Sequence, residues 1–174
     1  MALLSRFRER SMIIRGVMVD RVFVYVWANM RLHCTDFRYS STARLIMIKA
    51  LSSDNLPAPR FRYSPLVKAG PFFKTAGMIA LDKDNGELES GGTGAETDKI
   101  LNNLVGALPD FDLSLDDLVS ATIYTTEFDE FPAINAAWER VFTADVQPPA
   151  RTSIGVQALP LGATVEIEFM FYKA

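Results

Sequence analysis

The sequence predicts an α+β sandwich in the order β-β-α-β-α-β-β, one mixed sheet with two helices on one face. Three observations predict it. The closing residues "ATVEIEFMFYKA" alternate apolar with other side chains without a break, the period of a strand buried on one side. "GAETDKILNNLVGALPDF" and "EFPAINAAWERVFT" instead space their apolar residues at helical intervals. An Asn85-Gly86 pair within "DKDNGELE" is a strong hairpin signal.

In chain order, "SPLVKAGPFFKTAGMIALD" reads as two short strands split by Ala69-Gly70-Pro71, with the Asn85-Gly86 turn after them. A meander opens the domain. The first helix carries Ile100, Leu101, Leu104, Val105 and Leu108 on one stripe, with Thr93 or Thr97 expected as its cap and Pro109 as its end. "LDDLVSATIYTTEF" then sets Val119, Ala121 and Ile123 against Ser120, Thr122 and Tyr124, a strand with one buried face. In the second helix Phe131, Ile134, Trp138, Val141 and Phe142 form the apolar stripe, and Pro132 sits where a first turn tolerates it. On the last strand Val165, Ile167, Phe169 and Phe171 face the core. Glu166, Glu168, Met170 and Tyr172 face away, towards solvent or the wall of a closed oligomer.

A chain of 174 residues, 49% hydrophobic, holds one real core and is short for two. Its net charge of -3 conceals an asymmetry: residues 1–46 hold eight arginines and three acids, so the remainder stands near -8. An acidic domain without clustered cations works against nucleic-acid binding. In the front segment, Arg15, Asp20 and Arg21 break the most apolar run, so no uncharged stretch reaches the roughly 18 to 20 residues that span a bilayer. The same charges argue against a secretory signal. We expect residues 1–46 to be a dispensable basic extension, or the product of a start mis-assigned upstream of Met47, and residues 47–174 to be the domain. If native, the extension adds an edge strand or stays loose. A cytoplasmic location is expected.

His33 and Cys34, the only residues of their kinds, both lie in the front segment. Imidazole-based triads and Cys/His zinc sites are thereby excluded from the domain. "SGGTGAE" lacks the spacing of a phosphate-binding loop and reads as a loop and helix start. What remains is "PPARTSIGV", in which Arg151, Ser153 and Gly155 share one face of a strand, with Thr152, Ile154 and Val156 on the other. A guanidinium is charged at any relevant pH and matches a carboxylate bidentately. Two readings stand: an internal bridge to Glu166 or Glu168, or a grip on a small carboxylate substrate, with one glutamate positioning a water.

"PPARTSIGVQALPLGATVEIEFMF" resembles the C-terminal signature of the Rid family (reactive intermediate deaminases, the YjgF type, also grouped as L-PSP endoribonucleases), P-A-R-S-x-V, then A-L-P, then V-E-I-E. "YSPLVKAGPFFKTAG", "ETDKILNNL" and "FPAINAAWERVF" extend the resemblance over residues 47–174. It implies a chorismate-mutase-like protomer, a homotrimer with sites between subunits, and hydrolysis of enamines and imines such as 2-aminoacrylate and 2-iminopropanoate to 2-keto acids and ammonia. Neither cofactor nor metal is implied. By the same resemblance, Arg151 pairs with the substrate carboxylate and Glu166 lies near the attacking water. Tyr63, Gly77 and Ser153 contact substrate, and Asn135 lies near the cleft. This chain departs from the family pattern at Ala76 and Met78, which stand for a serine and a glutamine, and at Pro65, which stands for a glutamine. Endoribonuclease activity, and a non-catalytic trimer that binds small carboxylates or a partner enzyme, are the alternatives.

Overall fold

A computed structural model describes residues 47–174, together with two short strands further forward. Those two, β1 (Val17–Val19) and β2 (Val22–Val24), pair antiparallel within the unit Met1–Ala43. The expected dispensability of residues 1–46 otherwise falls outside the described residues.

The second unit is a six-stranded sheet with two helices. Its strands are β3 (Ile48–Leu51), β4 (Leu66–Ala69), β5 (Phe72–Thr75), β6 (Leu118–Thr125), β7 (Ala150–Gly155) and β8 (Val165–Tyr172). They lie in the order β3-β4-β5-β8-β6-β7. Only β6 and β7 run parallel, so the sheet is mixed as expected. The parallel pair needs a crossover, which α2 (Phe131–Val141) supplies, while α1 (Gly92–Ala107) links β5 to β6.

The alternation of β8 is realised in full. Val165, Ile167, Phe169 and Phe171 are all completely buried, against Ile100, Leu101 and Leu104 of α1 and Ile134 and Trp138 of α2. Burial of each such side chain stabilises by roughly 1.5–3 kcal/mol. Both helices therefore cover one face of the sheet. On the other face Glu166, Glu168 and Met170 are half-buried and Tyr172 is exposed.

Four details differ from expectation. Strand β3 joins the edge of the sheet although its residues, Ile-Lys-Ala-Leu, are mostly exposed and carry no burial alternation. The Asn85-Gly86 turn closes with Gly86 at φ +70°, but it joins only a single bridge, Leu81 to Leu88, because the Asp82 carboxylate gathers the turn amides of Asp84 and Asn85. Helix α1 starts at Gly91, in the left-handed region, without a side-chain cap; Thr97 Oγ1 donates back to the Thr93 carbonyl instead. Finally, the β6/β8 register shifts between Leu118 and Ser120, and this bulge turns Val119 out to solvent and leaves Leu118, Ala121 and Ile123 inside.

Candidate functional site

The segment after β5 is held against β8 by two hydrogen bonds. The Met78 amide donates to the Ile167 carbonyl at 2.8 Å and the Ile167 amide donates to the Met78 carbonyl at 2.9 Å. This pairing lays Gly77 beside Glu166. The approach is so close that a Cβ on residue 77 would lie 1.6 Å from Glu166 Oε1. Glycine is required here by the carboxylate, since its backbone φ is not left-handed.

A cleft of about 480 Å³ opens in front of this pair. Tyr63, half exposed, Ala76 and Gly77 line it together with Glu166. Burial pushes the Glu166 carboxyl above its ordinary range, and the charge of Glu168 adds to the effect. Glu168 itself is paired with Lys74 at 2.9 Å. Tyr124, directly opposite Glu166 in the ladder, is also raised, first by burial and then by the charge of Glu168. A carboxyl raised in this way is a stronger base, once ionised, than a free one.

Arg151 belongs to a different surface. It pairs with Ala121 across the parallel ladder and so faces the helix side, whereas Glu166 pairs with Tyr124 and faces the bare side. Its Nη2 donates to Asn135 Oδ1 at 2.7 Å, and its guanidinium carbon lies 5.0 Å from the Trp138 ring centroid and 5.5 Å from that of Phe131. Desolvation by these groups lowers its pKa, and Glu139 opposes the shift. The alternative of an internal bridge to Glu166 or Glu168 is therefore overturned, because the two ends of that bridge lie on opposite faces. No described carboxylate comes within salt-bridge distance of Arg151.

Ser153, opposite Ile123, lies on the Arg151 side of β7. Gly155 does not leave room for a ligand as its size suggested: the Phe128 ring occupies that space, 3.5 Å from where a Cβ would stand, and stacks on Phe131. The structure thus assembles two groups, Tyr63, Gly77 and Glu166 in one and Arg151, Asn135 and Ser153 in the other. It does not join them within one chain.

A model of the family described as Endoribonuclease L-PSP matches residues 53–172. A RutC family protein of Pyrococcus horikoshii is 32% identical over 73% of this chain and 99% of its own length. The chain belongs to the Rid/YjgF/RutC family. The mouse 2-iminobutanoate/2-iminopropanoate deaminase is similar at 30% identity, over 71% of this chain and 90% of its own. The YjgF gene product of Escherichia coli superposes with a TM-score of 0.68 at 27% identity, over 72% of this chain and 99% of that one.

Of the positions where this Rid-family chain departs from the pattern, Ala76 does line the cleft, but Met78 turns its side chain to the core. The loss of a glutamine amide at 78 therefore bears on packing as much as on the cleft. Sequence reasoning missed the ring pair Phe131 and Trp138 as partners of Arg151, since both read as core residues of α2. It also missed Ile79 and Leu81 on the cleft wall, although they follow Gly77 at a period of two and so share its side. Among the described residues no group of three or more His, Cys, Asp or Glu is arranged to hold a metal ion, and no helix is long and apolar enough to cross a membrane.

Proposed function

We propose that this protein hydrolyses 2-imino acids and their enamine tautomers to 2-keto acids and ammonia in the cytoplasm, without a cofactor or metal. The observation that carries the reading is the Glu166 carboxylate seated over the backbone of Gly77 at the head of an open cleft. The deaminase name of the mouse relative supports the reaction class.

The chemistry asks little of the protein, because a protonated imine is already electrophilic. Arg151 takes the substrate carboxylate, for which its guanidinium is held ready by Asn135 and two aromatic rings. Glu166 removes a proton from water as the oxygen attacks the imine carbon. In the resulting carbinolamine the nitrogen takes back the proton from Glu166 and leaves as ammonia, while the hydroxyl proton passes to the freed Glu166 carboxylate and on to solvent as the carbonyl forms. Since Arg151 and Glu166 face opposite sides of the sheet, the reading requires a second copy to bring its arginine to the cleft, in a closed homotrimer with sites between subunits. On this reading residues 1–46 are dispensable for the activity. The acidic balance of the domain works against the endoribonuclease alternative.

The test generates 2-iminopropanoate with an amino-acid oxidase and follows its capture by semicarbazide. The parent protein is expected to suppress capture, and Arg151→Ala, still assembled by size-exclusion, is expected not to. No suppression by the parent would overturn the reading in favour of a non-catalytic carboxylate-binding trimer.

A further inference from the structure

We propose that the cleft beside Glu166 selects imino acids with large apolar side chains, branched aliphatic or aryl, over the three-carbon skeleton shared by 2-aminoacrylate and 2-iminopropanoate. The proposal rests on the hydrolase reading above and names the substrate class of the same site. Its first support is size. A six-heavy-atom iminopropanoate occupies no more than about 180 Å³, even at the roughly 30 Å³ that liquid water allots to each heavy atom, whereas the cleft in one chain, before the second copy that brings Arg151 closes on it, offers about 480 Å³.

The second support is the chemistry of the walls. Besides Gly77, Tyr63 and Glu166, the cleft wall carries Ile79, Leu81, Phe61 and Leu161. Such a wall rewards apolar atoms. Phe61 is 79% exposed and Leu161 55% exposed, so neither serves the core of the protomer. Arg60 donates a hydrogen bond to the Gly86 carbonyl, which ties the segment bearing Phe61 and Tyr63 to the Asp82–Gly86 turn and keeps that wall in place.

The third support is backbone strain at Leu161. Its φ of 59° and ψ of 14° put it in the left-handed region, where a leucine clashes with its own carbonyl and has no side-chain hydrogen bond to compensate. Glycine or asparagine would sit there more easily. A chain that holds an exposed isobutyl group in a disfavoured conformation on the lining of this cleft has that group available to a ligand.

The product chemistry places the reaction that must come before. Branched aliphatic and aryl amino acids have no leaving group on the β carbon, so their imines arise by two-electron oxidation of the amine, with a flavin or nicotinamide as acceptor. Elimination does not supply them.

The experiment compares imines generated by amino-acid oxidases from alanine, leucine and phenylalanine, each followed by loss of semicarbazide capture. At about fourfold per buried methylene, the three extra carbons of the leucine-derived imine allow up to about 60-fold, and a kcat/KM at least about tenfold above that of 2-iminopropanoate is expected. Leu161→Asn and Phe61→Ser are expected to bring that ratio towards one, and Leu161→Asn to melt no lower than the parent. A parent ratio of one or less, or a ratio that survives both substitutions, would overturn the proposal. Dissociation of the Leu161→Asn oligomer would also overturn it, by assigning the side chain to a subunit contact. Failure to hydrolyse any of the three imines would instead bring down the hydrolase reading itself.

Discussion

Replacing Gly77 by alanine separates the position of the Glu166 carboxylate from its chemistry. The added Cβ would lie 1.6 Å from Oε1 and 2.6 Å from Cδ of Glu166, and nonbonded heavy atoms need about 3.5 Å. The carboxylate oxygen must therefore retreat by about 2 Å. What gives way is the end of a flexible side chain, and residue 77 has no left-handed φ to forbid a Cβ, so the fold is expected to hold its melting temperature within about 4 °C. A misplacement of about 1 Å at a reacting centre costs on the order of 10²-fold, so kcat for imine hydrolysis is expected to fall by at least about that factor. KM, set largely by Arg151, should move less. The paired assays are semicarbazide capture and thermal unfolding. A kcat within about threefold of the parent would refute the reasoning that carboxylate position sets the rate. A large loss of melting temperature would refute the reasoning that only the side chain moves.

Glu166→Gln is expected to lower kcat by about 10²- to 10⁴-fold as the base is lost. Burial, reinforced by Glu168, raises the folded-state pKa of Glu166, so the folded chain retains a proton that the unfolded chain releases. Its ionisation costs stability as pH rises from the ordinary carboxylate range through the raised value. Calorimetry across pH should accordingly find Glu166→Gln more stable than the parent at neutral pH, with the advantage gone in acid. Asn135→Ala removes the 2.7 Å hydrogen bond that orients the Arg151 guanidinium, and steady-state kinetics should register a KM about fivefold higher with kcat little changed. Thr164 Oγ1 is buried with no hydrogen-bond partner among the described residues, so Thr164→Val should leave stability equal or raise it by up to about 1 kcal/mol in chemical denaturation.

The period-two run of β8 and the helical stripes of α1 and α2, apart from Val105, which stands exposed, were legible because each is a local pattern with one buried side. Strand β3 was not, since an exposed edge strand of four residues buries too little to leave a pattern. The bulge at Val119 was equally hidden: a plain alternation put Val119 inside, and only the pairing with β8 exposes it. At the site, the sequence singled out Arg151 and Glu166 as chemically apt, and alternation within β7 and within β8 was read correctly for each. The relation between the two strands was not in either pattern. It depends on how β6 pairs with both, parallel to one and antiparallel to the other, a register fixed by the whole domain. Gly155 failed for a similar reason, because the space beside it is taken by Phe128, a residue 27 positions earlier whose position no local rule predicts.

Because Arg151 and Glu166 look out from opposite sides of one sheet, the proposed ring would have each chain carry two complementary halves of a site. Damage is then inherited by the junction between chains, not by the chain. In a head-to-tail ring assembled from equal amounts of Arg151→Ala and Glu166→Gln chains, each silent when pure, random assortment makes about a quarter of the junctions wild-type on both sides. Two inactive preparations, unfolded together and refolded, would regain activity, and a double mutant diluted into parent chains would poison more junctions than its share of the mixture.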